Sequence, residues 1–226
     1  MIDTCYNFSE KQKNMNFVIE EMNACWNAVI HLAKSHSFSK GQVVDQADDA
    51  VYLITKGYIS YSCYLHSGEK RILYFVGPNA LFNEAGCMIK HKGRISFEFL
   101  TDTQVYAFPS DLFTDVDFVR SYPELSINLS QYIIFKRTYF SHFTANLFNR
   151  KPIARVAEIL FQLHERKNGI IISQQDIGNF FGLHQMTVSR ALSQLRDENI
   201  IGKITKNNFE VFSPERLAEY AQWEKI

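Results

Sequence analysis

Between Phe38 and Phe108 one short apolar run follows another, and nothing of helical period separates them. The runs "AVYLITKG", "YISYSCYLHSG", "EKRILYFVGPN", "RISFEFLTDT" and "QVYAFP" are rich in Val, Ile, Tyr and Phe. Turn residues part them: Gly57, Ser67-Gly68, Gly77-Pro78-Asn79, Lys92-Gly93 and Thr101-Asp102. β-Branched and aromatic side chains suit a pleated, half-buried surface, while Gly, Pro and Asn supply the backbone angles of tight turns. Strands spaced this closely, without crossover helices, predict an antiparallel barrel or jelly roll. "LHSGEKR" is the clearest hairpin tip. "ALFNEAGCMIKHKG" is too polar and irregular for a strand and reads as a short helix forming a pocket wall.

The barrel sits between segments of a different period. Residues 15–36 place Phe17, Val18, Met22, Trp26, Val29, Ile30 and Ala33 at helical spacing and predict a helix. After Pro123, Leu125, Leu129, Tyr132, Lys136, Tyr139 and Phe143 recur in steps of three and four, with Ile133, Phe140 and Leu147 widening the apolar face. A helix of about 25 residues would be about 37 Å long. With apolar residues on more than one side, it is expected to face both the barrel and a second copy of itself. "NRKP" at 149–152 breaks that helix, because the residue before a proline is pushed out of helical geometry. The break marks a hinge, beyond which "IARVAEILFQLHER" resumes a helix closed by Lys167-Asn168-Gly169.

"ISQQDIGNFFGLHQMTVSRALSQLRDEN" then reads as two short helices around Gly182, with Ser173 as the first N-cap. Ile177 and Phe181 form one seam, and Val188, Leu192 and Leu195 form the facing one. That is the packing a helix-turn-helix requires. The outer face of the second helix carries Gln185, Met186, Ser189 and Arg190. Arg190 has the donors to grip guanine O6 and N7, Gln185 suits adenine, and Met186 suits a thymine methyl. Ser173, Gln174 and Thr187 are placed to hold phosphates, which fixes register without reading sequence. "IIGKITKNNFEVF" reads as two strands around Lys206-Asn207-Asn208, a wing, and Ser213-Pro214 opens a last helix.

Composition narrows the partners and the chemistry. The formal net charge is zero, and residues 150–226 hold 11 Lys+Arg against 9 Asp+Glu, so non-specific attraction to phosphate is expected to be modest. No apolar run approaches the ~20 residues of a membrane span, and "MIDTCYNFSEKQKNMN" lacks a signal-peptide profile; a cytoplasmic protein without membrane contact is expected. Cys5, Cys25, Cys63 and Cys87 show no C-x-x-C, and the pairs Cys87/His91 and Cys63/His66 stand alone. No metal site, no catalytic residue and no required cofactor are expected. A metal-dependent jelly-roll enzyme would need two or three His and a carboxylate converging from the strands. Of the histidines only His66 falls on an expected strand.

This order of parts resembles the Crp/Fnr family of bacterial transcription regulators. The likeness is carried by "VYLITKGYISY", "SGEKRILYFVGPNALFNEAG" and "QQDIGNFFGLHQMTVSRALSQLRDENII", most specifically by G-x-x-x-G-L-x-x-x-T-V-S-R. It implies an α+β chain in three parts. Residues 1–117 would hold an N-terminal helix and a cyclic-nucleotide-binding-type antiparallel β-barrel of jelly-roll type, which senses an effector. Residues 118–148 would be a long dimerisation helix, and residues 149–226 a winged helix-turn-helix that binds DNA. The implied partners are a second copy of the chain, double-stranded DNA with a two-fold-symmetric site, a small-molecule effector and RNA polymerase.

Within the family the likeness runs toward the CprK-like branch, whose regulators respond to chlorinated phenols. That branch implies an anionic aromatic effector, such as a halogenated phenol, contacted by Tyr74 and Lys136. Glu84 departs from the branch, because a negative charge there opposes a phenolate. A cAMP site in the family carries G-E-L-G and then R-[ST]-A. Here Asn83-Glu84-Ala85-Gly86 and Arg94-Ile95-Ser96 stand instead, which leaves Glu84 for a ribose and Arg94 for a phosphate. Alignment backward from "VYAFP", however, puts Gly93 at the arginine's place. A haem-based sensor and a barrel that binds nothing are the remaining alternatives.

Overall fold

The structure, a computed structural model, describes residues 17–45, 49–89, 95–166, 172–204 and 209–221. Arg94, Cys5, His91, Lys167-Asn168-Gly169 and the expected wing turn Lys206-Asn207-Asn208 lie outside the described residues. The chain divides into two compact units: residues 1–69 with 73–141, and residues 142–226 with 70–72.

Among the described residues, the N-terminal part of the chain forms nine strands: β1 (Val18–Ile19), β2 (Lys34–Phe38), β3 (Val43–Asp45), β4 (Ala50–Lys56), β5 (Ile59–Tyr64), β6 (Lys70–Val76), β7 (Leu81–Phe82), β8 (Ile95–Phe99) and β9 (Thr103–Pro109). One sheet runs β1-β6-β5-β8-β3 and the other β2-β9-β4-β7. Residues 81–82 and 95–109 thus alternate between the sheets, as a jelly roll demands. β1 runs parallel to β6, while β2–β9, β3–β8, β4–β7, β4–β9 and β5–β8 pair antiparallel. Gly57 turns the chain between β4 and β5 at φ +94, where a Cβ would stand 2.5 Å from Thr103 Oγ1 and 2.7 Å from Asp102 O. Only glycine fits there. At the hairpin tip, Leu65 N donates to Glu69 O at 2.9 Å and Gly68 N to Leu65 O at 3.0 Å.

The N-terminal helix expected over 15–36 does not form. Phe17, Val18 and Ile19 are all buried, but in extended backbone and not along a helical face. They lie instead against the open edge of β6, where Phe75 N donates to Phe17 O at 2.9 Å and Gly77 N to Ile19 O at 2.8 Å. The helical spacing survives only over Ala24–Leu32, as 3₁₀ turns that bury Trp26 and Val29.

An aromatic file joins the sheets through the core. Tyr52 stacks on Phe82 with centroids 4.9 Å apart, Phe82 meets Phe97 at 4.9 Å, Phe97 meets Tyr61 at 5.2 Å, and Tyr61 stacks on Tyr74 at 4.6 Å. The irregular segment after β7 does form a short helix, α1 (Glu84–Ile89). Following α2 (Val116–Ser121), the long helix α3 (Pro123–Asn149) spans 27 residues. At ~1.5 Å per residue it is about 40 Å long. Its inner stripe is the one the sequence spacing picks out: Leu125, Leu129, Tyr132 and Tyr139 are buried.

The second unit holds α4 (Pro152–Arg166), α5 (Gln174–Phe181), α6 (Gln185–Asp197) and α7 (Pro214–Tyr220). Proline at the first position of α4 gives up a backbone N–H that no helical carbonyl would have received. Val156, Ala157, Ile159, Leu160 and Leu163 make its buried side. Arg150 ties α4 to the residue after α7, bonding both the Glu158 carboxylate and the Ala221 carbonyl. In place of two wing strands, the described residues form one antiparallel bridge, Ile201 with Val211. It is flanked by Gly202 N to Glu210 O and Phe212 N to Ile200 O, each 2.9 Å. Ser213 precedes α7 as expected but makes no side-chain cap.

Candidate ligand site and nucleic-acid interface

Three polar residues sit one turn apart on the inner face of α3, and each is bonded to a different part of the first unit. Asn128 Oδ1 accepts from Asn23 Nδ2 at 2.8 Å and from Trp26 Nε1 at 3.0 Å, while its Nδ2 donates to Met22 O at 3.0 Å. Tyr132 OH donates to Leu81 O at 2.7 Å. Lys136 Nζ bonds Glu84 Oε1 at the start of α1. Positions i, i+4 and i+8 of a helix share a face. The three bonds therefore pin α3 in one register against residues 22–26, 81 and 84.

The third anchor has the makings of a ligand site. The Lys136 and Glu84 side chains are 10% and 3% exposed, so this is a buried pair. Three tyrosine rings surround the ammonium, with centroids 4.9 Å (Tyr132), 5.0 Å (Tyr74) and 5.8 Å (Tyr61) away. All three fall within the ~6 Å at which a cation is drawn to a ring face. Burial opposes the Lys136 charge, but Glu84 and the ring oxygens outweigh it and hold the ammonium above the ordinary lysine range. Burial pushes the Tyr74 phenol well up and raises Tyr61 and Tyr132 as well, so all three stay protonated at neutral pH. Glu84 Oε2 is buried and, among the described residues, accepts no hydrogen bond.

Of the four residues the sequence nominated for this pocket, the structure brings Tyr74, Glu84 and Lys136 together; Arg94 lies outside the described residues. A lysine on an apolar helix face also fits a side chain that lets its amine reach water. That is not what forms, because Glu84 meets the amine inside. Tyr61 and Tyr132 were missed. Both stood in runs that look like core, though Tyr132 lies one turn before Lys136 and Tyr61 sits mid-strand on the face shared with Phe97. Cys87 is buried next to the site. It accepts from Asn83 Nδ2 at 3.4 Å, and burial, with Asp49 and Glu84 adding, pushes its thiol up to about 11. Among the described residues no three His, Cys, Asp or Glu side chains gather as metal ligands, and no helix is long and apolar enough to cross a membrane.

The second unit presents the other surface. The Ser173 hydroxyl accepts from Asp176 N at 3.1 Å, and Asp176 Oδ2 accepts from Ser173 N at 2.9 Å, a complete capping box at the start of α5. Gly182 ends α5 at φ +64, and His184 Nδ1 caps α6 by accepting from Met186 N at 3.3 Å. Ile177, Phe181, Val188, Leu192 and Leu195 close the seam between the helices. A Cβ on Gly178 would stand 2.9 Å from Leu183 O, so the turn packs backbone to backbone.

With that face buried, α6 turns Gln185, Met186 and Arg190 outward, with Ser189 and Thr187 half-buried beside them. Met186 is 57% exposed, which is far from a core methionine. Gln174 is half-buried at the start of α5. Ser173 is exposed, but its hydroxyl is committed to Asp176.

Comparison with known proteins agrees with both halves. The profile of the cyclic nucleotide-binding domain matches residues 35–116, and that of the Crp-like helix-turn-helix domain matches residues 154–220. The chain is 23% identical, over 174 residues, to the cAMP-activated global transcriptional regulator CRP of Haemophilus influenzae, covering 72% of this chain and 77% of that one. Among solved structures, CprK complexed with OCPA superposes with a TM-score of 0.63 at 20% identity, over 85% of this chain and 92% of that one. FixK2 from Bradyrhizobium japonicum superposes with a TM-score of 0.62 at 24% identity, over 83% and 96%.

Proposed function

We propose, from the premise that this chain belongs to the Crp/Fnr family of DNA-binding transcription regulators, that it acts as a homodimer whose hold on DNA is set by a small aromatic molecule at Lys136. Proteins of this family are regulators and not enzymes. The observation that carries the proposal is the buried Lys136–Glu84 pair, because it joins the sheet-bearing unit to the long helix at the point where tyrosine rings converge. A ligand taken up there meets both partners of the pair at once.

The relatives named above differ in ligand: one is cAMP-activated and one is complexed with OCPA. The chemistry around Lys136 favours an aromatic compound over a cyclic nucleotide. Three ring faces are present, whereas Glu84, the residue available to a ribose, is already bonded to Lys136. A halogenated phenol is one member of that class.

The dimer reading rests on α3. Ile127 and Ile134 are 44% and 65% exposed, seven residues apart on the side away from the buried stripe. That spacing suits a helix pairing with its own copy. Two α6 helices would then enter successive major grooves ~34 Å apart on a two-fold-symmetric site. Gln185, Met186, Ser189 and Arg190 would read bases, and Ser173, Gln174 and Thr187 would hold phosphates. The Ser173 hydroxyl would share itself between cap and phosphate. The ligand shifts the population of binding-competent dimers and adds no contact to DNA.

The test is fluorescence anisotropy on a randomised palindromic DNA library, with and without a panel of phenols, small acids and cyclic nucleotides. Sedimentation of the unaltered protein and I134E accompanies it. The expected result is a dimer that I134E dissociates, and DNA affinity that an aromatic ligand changes at least tenfold. A monomer that ignores DNA with every ligand refutes the proposal.

A further inference from the structure

Glu84 gives one oxygen to Lys136 and keeps the other buried, without a donor among the described residues. The residue is 2% exposed, so water does not supply the missing bond freely. Within the pair, charge already sums to zero: one ammonium and one carboxylate. An anion entering beside Lys136 would leave the closed site net negative, with its oxygen and those of Glu84 competing for one cation. Uncompensated buried charge is among the costliest arrangements a protein can hold. A neutral O–H or N–H donor adds no charge and supplies the bond that Oε2 lacks.

We infer that this site takes its aromatic ligand in the neutral, hydrogen-bond-donating form, an un-ionised phenol being the simplest case, with the ligand's O–H or N–H directed at Glu84 Oε2. The proton stays on the ligand. Glu84 is then the specificity-determining residue: a lysine ringed by tyrosines would by itself receive a phenolate, and the carboxylate reverses that choice. This rests on the reading of Lys136 as an effector site.

4-Nitrophenol is the probe, because its ionised form absorbs visible light and its neutral form does not. The unaltered full-length protein is titrated near neutrality, where both forms of the free probe are populated. Binding should bleach the visible band, and apparent affinity should fall about tenfold per pH unit above the probe's own pKa. E84Q removes the carboxylate and frees the Lys136 charge, so binding to that variant should deepen the visible band instead. If E84Q does not fold, the pH dependence of the unaltered protein decides alone. A band that grows on binding to the unaltered protein, or affinity that rises with pH, overturns the inference and leaves the effector site standing. Failure of both 4-nitrophenol and unsubstituted phenol to bind at any pH, by absorbance and calorimetry, overturns the inference and the effector site together.

Discussion

Replacing Lys136 by Met keeps the bulk of the side chain and removes its charge, which strands Glu84 inside the first unit. Two magnitudes compete for the outcome. An exposed ion pair contributes ~0–1 kcal/mol, whereas breaking a buried pair by removing one partner costs ~3–5 kcal/mol, since the remaining charge is left uncompensated. Side-chain exposures of 10% and 3% place this pair in the second class. The three ring contacts to the ammonium are lost as well, and each contributes on the order of 0.5–2 kcal/mol. The two losses overlap, because the same ammonium makes both sets of contacts, so K136M should destabilise the first unit by at least roughly 4 kcal/mol, a fall of about 10 °C or more in its midpoint at ~2–4 °C per kcal/mol. The double variant K136M/E84L removes both charges and should recover most of that loss. Trp26 is fully buried in this unit and the only other tryptophan is Trp223, so urea unfolding followed by tryptophan emission in a W223F background reports on the first unit. A loss below about 1 kcal/mol for K136M would refute burial of the pair, because only an exposed pair is that weak. Failure of E84L to rescue would show instead that packing around the methionine, and not a stranded carboxylate, is the cause.

The second unit yields three further expectations. Burial, opposed by Arg150, holds the Glu158 carboxyl up at about 7, above the ordinary glutamate value of 4.5. The folded state then binds the proton more tightly than the unfolded state, so stability is full below about pH 4.5 and falls as pH rises toward 7. The loss is on the order of 3 kcal/mol, and E158Q should flatten this slope in urea midpoints taken from pH 4 to 8. Gly182→Ala forces a side chain into left-handed backbone at φ +64 and should cost about 1–2 kcal/mol, read as a lower thermal midpoint with the helix content of the folded state unchanged. Arg190→Ala should leave stability within about 0.5 kcal/mol, because the residue is exposed. It should also weaken preferred DNA by about 10–100-fold while leaving a scrambled duplex nearly unaffected, by anisotropy at fixed salt.

What the sequence disclosed follows from the range over which each interaction acts. The capping box of Ser173 and Asp176, the turn at Gly182 and the seam of Val188, Leu192 and Leu195 are all local, and they read directly from spacing. The buried stripe of α3 was equally legible, because a helix repeats its face every three to four residues. Residues 17–19 were not. Three successive apolar residues fit a helix as readily as an edge strand, and only the open side of β6, more than 50 residues away, settles the matter. The site is legible by half for the same reason. Lys136 stood out as a cation on an apolar face, but its partner lies 52 residues earlier, and nothing near either residue announces the pairing. Tyr61 and Tyr132 carry no polar signature that separates a ring facing Lys136 from an ordinary core ring.

The three anchors of α3 are unequal, and the inequality gives the pair its leverage. Asn128 is held by three hydrogen bonds, all to neutral groups, and Tyr132 donates to a backbone carbonyl. Neither bond depends on a titrating or exchangeable partner, so the first two anchors keep the N-terminal half of α3 in register whatever the ligand state. Lys136 alone is tied through a charge, and its partner alone has an oxygen to spare. A molecule that bonded Glu84 would therefore act on the last of the three anchors, the one nearest Ser141, where the first unit ends. A ligand acting at Asn128 would instead have to break three hydrogen bonds between neutral groups.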